Sequence, residues 1–129
     1  MPLQRETVHA PGAPAAVGAY SHAVKAGDLL FCSGQVALDP ETNELVGDTP
    51  ADQVRRCLEN LSAVCEAAGT SLDRAVRCGV FLTDLAGAWA EVNEAYAAFF
   101  PGDPPARAAI GVAALPKGAQ VEVDAIVAL

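Results

Sequence analysis

Only two stretches of this 129-residue chain repeat their apolar residues at the steps of three and four that a helix needs; the segments around them alternate as strands do. The first is bounded on both sides. Thr49 can cap it, Pro50 suits its first position and Asp52 favours the positive N-terminal end, while Gly69 ends it. Between them Val54, Cys57, Leu58, Leu61, Val64, Cys65 and Ala68 form one apolar stripe, with Arg55, Arg56, Glu59 and Glu66 tending to the other side. The second runs from Leu85 to Phe100, where Trp89, Val92, Tyr96 and Phe99 define a core side, Asn93 sits beside it, and Pro101 prevents continuation.

Strand patterns fill the rest. Leu3 to His9 suits a short first strand. Ala23–Lys25, the turn Ala26-Gly27-Asp28 and the run Leu29–Cys32 read as a hairpin that delivers Ser33-Gly34-Gln35 at its end. Asp39-Pro40-Glu41-Thr42-Asn43 reads as a solvated turn without a catalytic role. Val76, Cys78, Val80 and Leu82 alternate with smaller or polar residues and predict a strand with one strongly apolar face. Two further strands, 107–112 and 121–127, flank a turn at Leu115–Gly118. The order, an N-terminal strand and then β-β-α-β-α-β-β, predicts an α+β domain spanning 1–129 with two helices packed on one face of a mixed sheet. The opposite face needs a cover, and self-association is the simplest one.

Composition narrows the function classes. Hydrophobic residues make up 52% of the chain but aromatics only 5%, so much of the apolar content is small Ala and Val. A net charge of −8, with Lys and Arg scattered, argues against nucleic acid and anionic membrane as partners. No apolar run reaches membrane-spanning length and Met1–Ala10 lacks a signal-peptide core, so a cytoplasmic protein is expected. Cys32, Cys57, Cys65 and Cys78 lack metal-ligand spacing with one another or with His9 and His22, and are expected as reduced core thiols.

Few residues carry candidate chemistry. Arg107 shares a strand face with Ala109 and Gly111, so its guanidinium points into space its neighbours leave open, and its fork suits a planar carboxylate. A structural salt bridge is the alternative. Glu122 interrupts the apolar alternation of Val121, Val123, Ala125 and Val127 and shares its face with Asp124; near an uncharged wall its pKa would rise and it could accept a proton from water. An exposed edge face would explain it equally. In a simple hairpin of the last two strands Glu122 lies near Gly111, so whether it shares a pocket with Arg107 depends on register. Ser33 and Gly34 offer a hydroxyl and unhindered backbone to a ligand, or a plain strand end. Tyr20 offers a phenol, or a cover for the core edge. Ser21-His22 lacks a nucleophile elbow, and the glycines make no phosphate loop.

Taken in order, Gly18-Ala19-Tyr20-Ser21-His22-Ala23, Phe31-Cys32-Ser33-Gly34-Gln35, Glu59-Asn60-Leu61, Val80-Phe81-Leu82-Thr83-Asp84, Val92-Asn93-Glu94-Ala95-Tyr96, Pro105-Ala106-Arg107, Leu115-Pro116-Lys117-Gly118-Ala119 and Val121-Glu122-Val123-Asp124-Ala125 closely resemble the RidA (YjgF) family. The resemblance covers almost the whole chain. It implies a chorismate-mutase-like fold assembled as a homotrimer, with clefts between subunits in which enamines and imines such as 2-aminoacrylate are hydrolysed to 2-oxo acids and ammonia without metal or coenzyme. By match to the motifs, Arg107 would hold the substrate carboxylate and Glu122 would orient or activate water. Ser33 and Gly34 would line the pocket, and Tyr20 and Asn93 would contribute from its rim. A cysteine frequent in the family two residues after the arginine is replaced by Ala109, which excludes a mechanism through that thiol, and Pro101-Gly102-Asp103-Pro104 is short. Competing readings are a non-catalytic module that binds a 2-oxo acid or amino acid, and a ribonuclease, which the acidity disfavours.

Overall fold

A computed structural model describes residues 3–129. The strands are β1 (Arg5–Val8), β2 (Ala23–Ala26), β3 (Leu29–Val36), β4 (Ala75–Leu82), β5 (Ala106–Gly111) and β6 (Val121–Ala128); the helices are α1 (Pro50–Ala67) and α2 (Leu85–Ala97). They form one six-stranded mixed sheet of order β1-β2-β3-β6-β4-β5. β3 and β4 both run antiparallel to β6, so they are parallel to each other, and β5 runs parallel to β4. The chain therefore makes two crossovers in the same direction across the sheet, through α1 and then α2. Crossovers of one hand, taken in one direction, put both helices on one face.

Each helix begins where its caps direct. The Thr49 hydroxyl accepts the Asp52 N–H at 3.1 Å, and the Asp84 carboxylate accepts the Gly87 N–H at 3.0 Å. Past α1, Gly69 takes a φ of 86°, in the left-handed region a helix stop needs. The expected α1 stripe is buried, and it packs on a sheet face made by Leu30 and Cys32 of β3, Cys78, Val80 and Leu82 of β4, and Val121, Val123, Ala125 and Val127 of β6. All four cysteines are buried free thiols, as expected. Among the described residues no helix is long and apolar enough to cross a membrane.

Four expectations need correction. β5 and β6 do not form a hairpin, because β4 lies between them. Val76 does not continue the apolar face of β4; an irregularity between Ala75 and Arg77 turns it outward and leaves it 49% exposed. Ser33 and Gly34 do not end a strand but sit within β3, in a bulge between Cys32, opposite Ala125, and Gln35, opposite Val123. α2 stops at Ala97, with the turn to Phe100 completed by N–H bonds from Phe99 to Tyr96 O and from Phe100 to Ala97 O.

The face away from the helices carries Phe31, Phe81, Ile110 and Ile126 beside Glu122 and Asp124. Phe31 and Ile110 are 43% and 48% exposed, so the apolar surface predicted to need a cover is present.

Candidate functional site

The bulge in β3 fixes the face on which Ser33 and Gly34 meet Glu122. Cys32 and Gln35 point to the helix side although three residues apart, and the two residues between them face the open side, where Glu122 of β6 also points. A Cβ on Gly34 would stand 2.6 Å from Glu122 Oε2 and 2.8 Å from its Cδ. Glycine leaves room for the close approach of the carboxylate, which any larger residue would make Glu122 give up; backbone strain plays no part. Ser33 is held in two ways: its N–H bonds His22 O at 3.0 Å, and its hydroxyl donates to Ser21 O at 2.6 Å. With that proton committed, the oxygen can only accept toward the cavity.

The loop bearing Tyr20 is anchored by His22. This buried imidazole accepts the Ala10 N–H at Nδ1 (2.9 Å) and lies 2.7 Å from Pro14 O at Nε2, an arrangement that fits the neutral ring protonated at Nε2. His22 is thus a structural histidine. Tyr20, 50% exposed, joins Ser33, Gly34 and Glu122 around a half-open cavity of about 460 Å³. Its other walls come from Ala15, Val17, Val36, Leu38 and Pro116, with Asn43 and Lys117 at the edge. The turn containing Asn43, read from sequence as purely solvated, thus returns to the cavity, with Asn43 in the left-handed region at φ 60° and a bridge between Leu38 and Leu45 closing it.

The two carboxylates of β6 have separate tasks. Asp124 accepts the Gly79 N–H at 2.9 Å and has Arg77 Nη1 at 3.9 Å, so it is committed to its neighbours in β4. Among the described residues Glu122 has no such partner. Burial, and secondarily the charge of Asp124, raise its pKa above the usual carboxylate value.

Arg107 lies elsewhere. In register it stands beside Cys78, which stands beside Ala125, so all three point to the helix side, whereas Glu122 is aligned with Phe81 and Ile110 on the open side. Two strand spacings and three residues separate the two Cα atoms, about 14 Å, with the side chains on opposite faces. No single chain brings Arg107 and Glu122 into one pocket. The guanidinium carbon sits 4.7 Å from the Trp89 ring centroid and 5.0 Å from that of Tyr96, and Nη1 donates to Asn93 Oδ1 at 2.7 Å. Part of the space that Ala109 and Gly111 leave is thus filled by α2: a Cβ on Gly111 would come 3.4 Å from Leu85 Cβ. The guanidinium stays exposed above a recess of about 400 Å³ that Asn93, Tyr96, Phe100 and Pro105 help to line. It makes no salt bridge among the described residues, and burial and then the neighbouring Cys78 push the Tyr96 phenol above its ordinary range, so the ring beneath it is neutral.

The named residues therefore divide into two groups, Tyr20, Ser33, Gly34 and Glu122 on one face and Asn93 and Arg107 on the other. Sequence reasoning missed the aromatic support of Arg107 and the aliphatic walls around Glu122. Trp89, Asn93 and Tyr96, at spacings of four and three, were a usable signal for the first.

A model of the family described as Endoribonuclease L-PSP matches residues 10–129. The chain is 49% identical over 126 residues to Protein DfrA of Myxococcus xanthus, covering 96% of this chain and 95% of that one. It is 41% identical over 122 residues to the 2-iminobutanoate/2-iminopropanoate deaminase of Rattus norvegicus, covering 95% and 88%. The solved structure of RidA from an Antarctic Psychrobacter superposes with a TM-score of 0.90 at 47% identity, covering 96% of this chain and 99% of that one.

Proposed function

The chain belongs to the RidA (YjgF) family, whose model it matches over residues 10–129, and from that premise we propose that it hydrolyses reactive enamine/imine intermediates, such as 2-aminoacrylate and its imine tautomer, to 2-oxo acids and ammonia. The reaction takes place in clefts between subunits of a chorismate-mutase-like homotrimer. One observation supports the reading most: Arg107 and Glu122 lie on opposite faces of one chain, each facing outward and neither in an ion pair among the described residues. A second subunit is the simplest way to oppose them, and the exposed Phe31 and Ile110 give such a contact apolar area. The name of the rat relative supports the choice of substrate.

The chemistry follows from the groups available. Arg107 of one subunit grips the substrate carboxylate with the N–H groups not used on Asn93. Once the enamine carbon has been protonated to give the imine, water attacks C2 as Glu122 of the neighbouring subunit takes one of its protons, and the C=N electron pair moves to nitrogen. Glu122 returns that proton to the nitrogen, which completes a carbinolamine. The same carboxylate then takes the hydroxyl proton and, its pKa raised by burial, passes it to the amino nitrogen, so that the C–N bond breaks, ammonia leaves and the hydroxyl oxygen becomes the carbonyl. Ser33 Oγ, donating to Ser21 O, accepts from an N–H of the intermediate, with Tyr20 bordering the cavity beside it. Neither metal nor coenzyme is required, since such imines hydrolyse unaided and positioning supplies the acceleration.

The direct test follows the decay of imines generated by an amino-acid oxidase or a serine/threonine dehydratase. Wild-type protein is expected to accelerate decay. Arg107→Ala should lose productive binding, roughly 10²- to 10⁴-fold in kcat/KM if two charge-assisted hydrogen bonds disappear. Glu122→Gln should lose about 10²-fold or more in kcat. Wild-type turnover in both variants would remove the mechanism, and a folded wild type that accelerates no imine would leave a metabolite-binding module. The family description also raises ribonuclease activity; a net charge of −8 opposes it, and an assay for RNA cleavage decides.

A further inference from the structure

The Glu122 cavity is larger and more apolar than a three-carbon imino acid requires. Such a molecule has six non-hydrogen atoms and displaces no more than about six waters, roughly 180 Å³. The half-open cavity of one subunit, before a neighbour covers its mouth, measures about 460 Å³. Its polar groups are Ser33, Gly34 and Glu122 on the sheet and Tyr20, Asn43 and Lys117 around its edge, whereas Ala15, Val17, Val36, Leu38 and Pro116 present an aliphatic wall. We propose that this wall is a side-chain subsite, and that the protein prefers 2-imino acids and 2-oxo acids with branched or longer aliphatic side chains over three-carbon ones. The proposal takes its reaction from the deaminase reading; its geometry concerns recognition alone.

Three features support that class. The wall is held before any ligand arrives, because the buried Asn60 Nδ2 donates to Val36 O at 3.3 Å and Leu38 O at 3.0 Å, and Val36 and Leu38 pack with Ala119, Leu45 and Leu115. A preformed apolar surface costs little to order on binding. Placing the carboxylate outward, toward Arg107 of a neighbouring subunit, and C2 beside Glu122 leaves the aliphatic wall for the remaining substituent. An acidic side chain would face the Glu122 carboxylate in the same cavity, where Lys117 at the edge is the one lining cation among the described residues. A single methylene in a hydrophobic pocket is worth roughly 10- to 200-fold in discrimination, so the preference should be large.

The test measures binding apart from turnover. Calorimetric titration of the full chain with pyruvate, 4-methyl-2-oxopentanoate and 2-oxoglutarate should give the branched acid a Kd at least tenfold below either of the others. Ala15→Phe, at an exposed position, fills the cavity without touching the core and should reduce the ratio of pyruvate to branched-acid Kd at least tenfold. Val17→Ser, also at an exposed position, should reduce it less. Equal affinities, tighter binding of 2-oxoglutarate, no binding of any of the three acids, or a wild-type ratio in Ala15→Phe would each overturn the subsite. The imine assay run in parallel tests the reaction: a branched-acid preference without imine turnover sinks the deaminase reading and leaves the subsite standing, whereas turnover with no side-chain preference does the opposite.

Discussion

The Glu122 cavity and the Arg107 shelf are built by different means. Glu122 is half-buried in a concave pocket made by a β-bulge, a histidine-anchored loop and a turn tied down by α1. Arg107 is an exposed cation on an edge strand, held by two aromatic rings and one amide of a single helix. Each construction suits its group. Burial raises a carboxylate's pKa and makes it a better proton acceptor, whereas a guanidinium needs no change of pKa and is better left accessible, with only its plane fixed. For the proposed reaction the contrast means that neither half could act alone: one would supply a base without an anchor, the other an anchor without a base.

The sharpest way to break this comparison is to mix two disabled proteins. Arg107→Ala subunits keep a good Glu122 and Glu122→Gln subunits keep a good Arg107. If sites form between neighbours, co-refolding equal amounts should recover about one quarter of wild-type activity, since one interface in four pairs the two intact halves. No recovery, with mixed oligomers demonstrated by mass spectrometry, would place both groups of a working site on the same chain. Next in size is Gly34→Ala. Its Cβ must displace the Glu122 carboxylate from a 2.6 Å approach, and we expect kcat to fall about tenfold, a few RT in barrier height, with a smaller change in KM. An unchanged kcat would show that the position of Glu122 against the bulge is not part of the site.

These two tests depend on features of unequal visibility in the sequence. α1 was legible almost to the residue, because Thr49, Pro50, Asp52 and Gly69 are local signals and the apolar stripe is long. The alternation of Val121 to Val127 likewise identified the face of Glu122. What was not legible depends on residues distant in sequence. The insertion of β4 between β5 and β6 follows from two crossovers, and nothing near Arg107 or Glu122 reports it. The bulge at Ser33-Gly34 changes which residues face the cavity, and a single glycine is too common a signal to reveal it. Val76 was misread for the same reason, since one extra residue in a strand reverses the alternation on which the reading rested.

The Arg107 shelf is tested by its rings. Trp89→Leu removes one cation–π partner at an exposed cation, worth roughly 0.5–1 kcal/mol, so KM should rise about two- to fivefold with kcat little changed. Trp89→Phe keeps a π face and should restore most of the loss. Equal KM values in the leucine and phenylalanine variants would assign Trp89 to packing rather than to holding the guanidinium.

The smallest expected effect is on stability, and it separates the two regions by sign. Burial raises the Glu122 pKa in the folded chain above that of an unfolded carboxylate, so the native state holds the proton more tightly than the unfolded one. The resulting stability is fully present below the unfolded value near ~4 and is lost as pH rises through the folded value. At neutral pH the ionised carboxylate therefore costs stability, and Glu122→Gln, which cannot ionise, should melt higher than wild type by on the order of a degree, with the gap closing as pH falls toward ~4. Arg107→Ala has no such dependence, because a guanidinium stays charged throughout that range; its small loss, from the unstacked rings, should be the same at both ends. Melting curves of the three proteins from acid to neutral pH read both slopes. A Glu122→Gln variant that melts below wild type at neutral pH would mean that the carboxylate has a stabilising partner, and the free base on which the proposed chemistry depends would be lost with it.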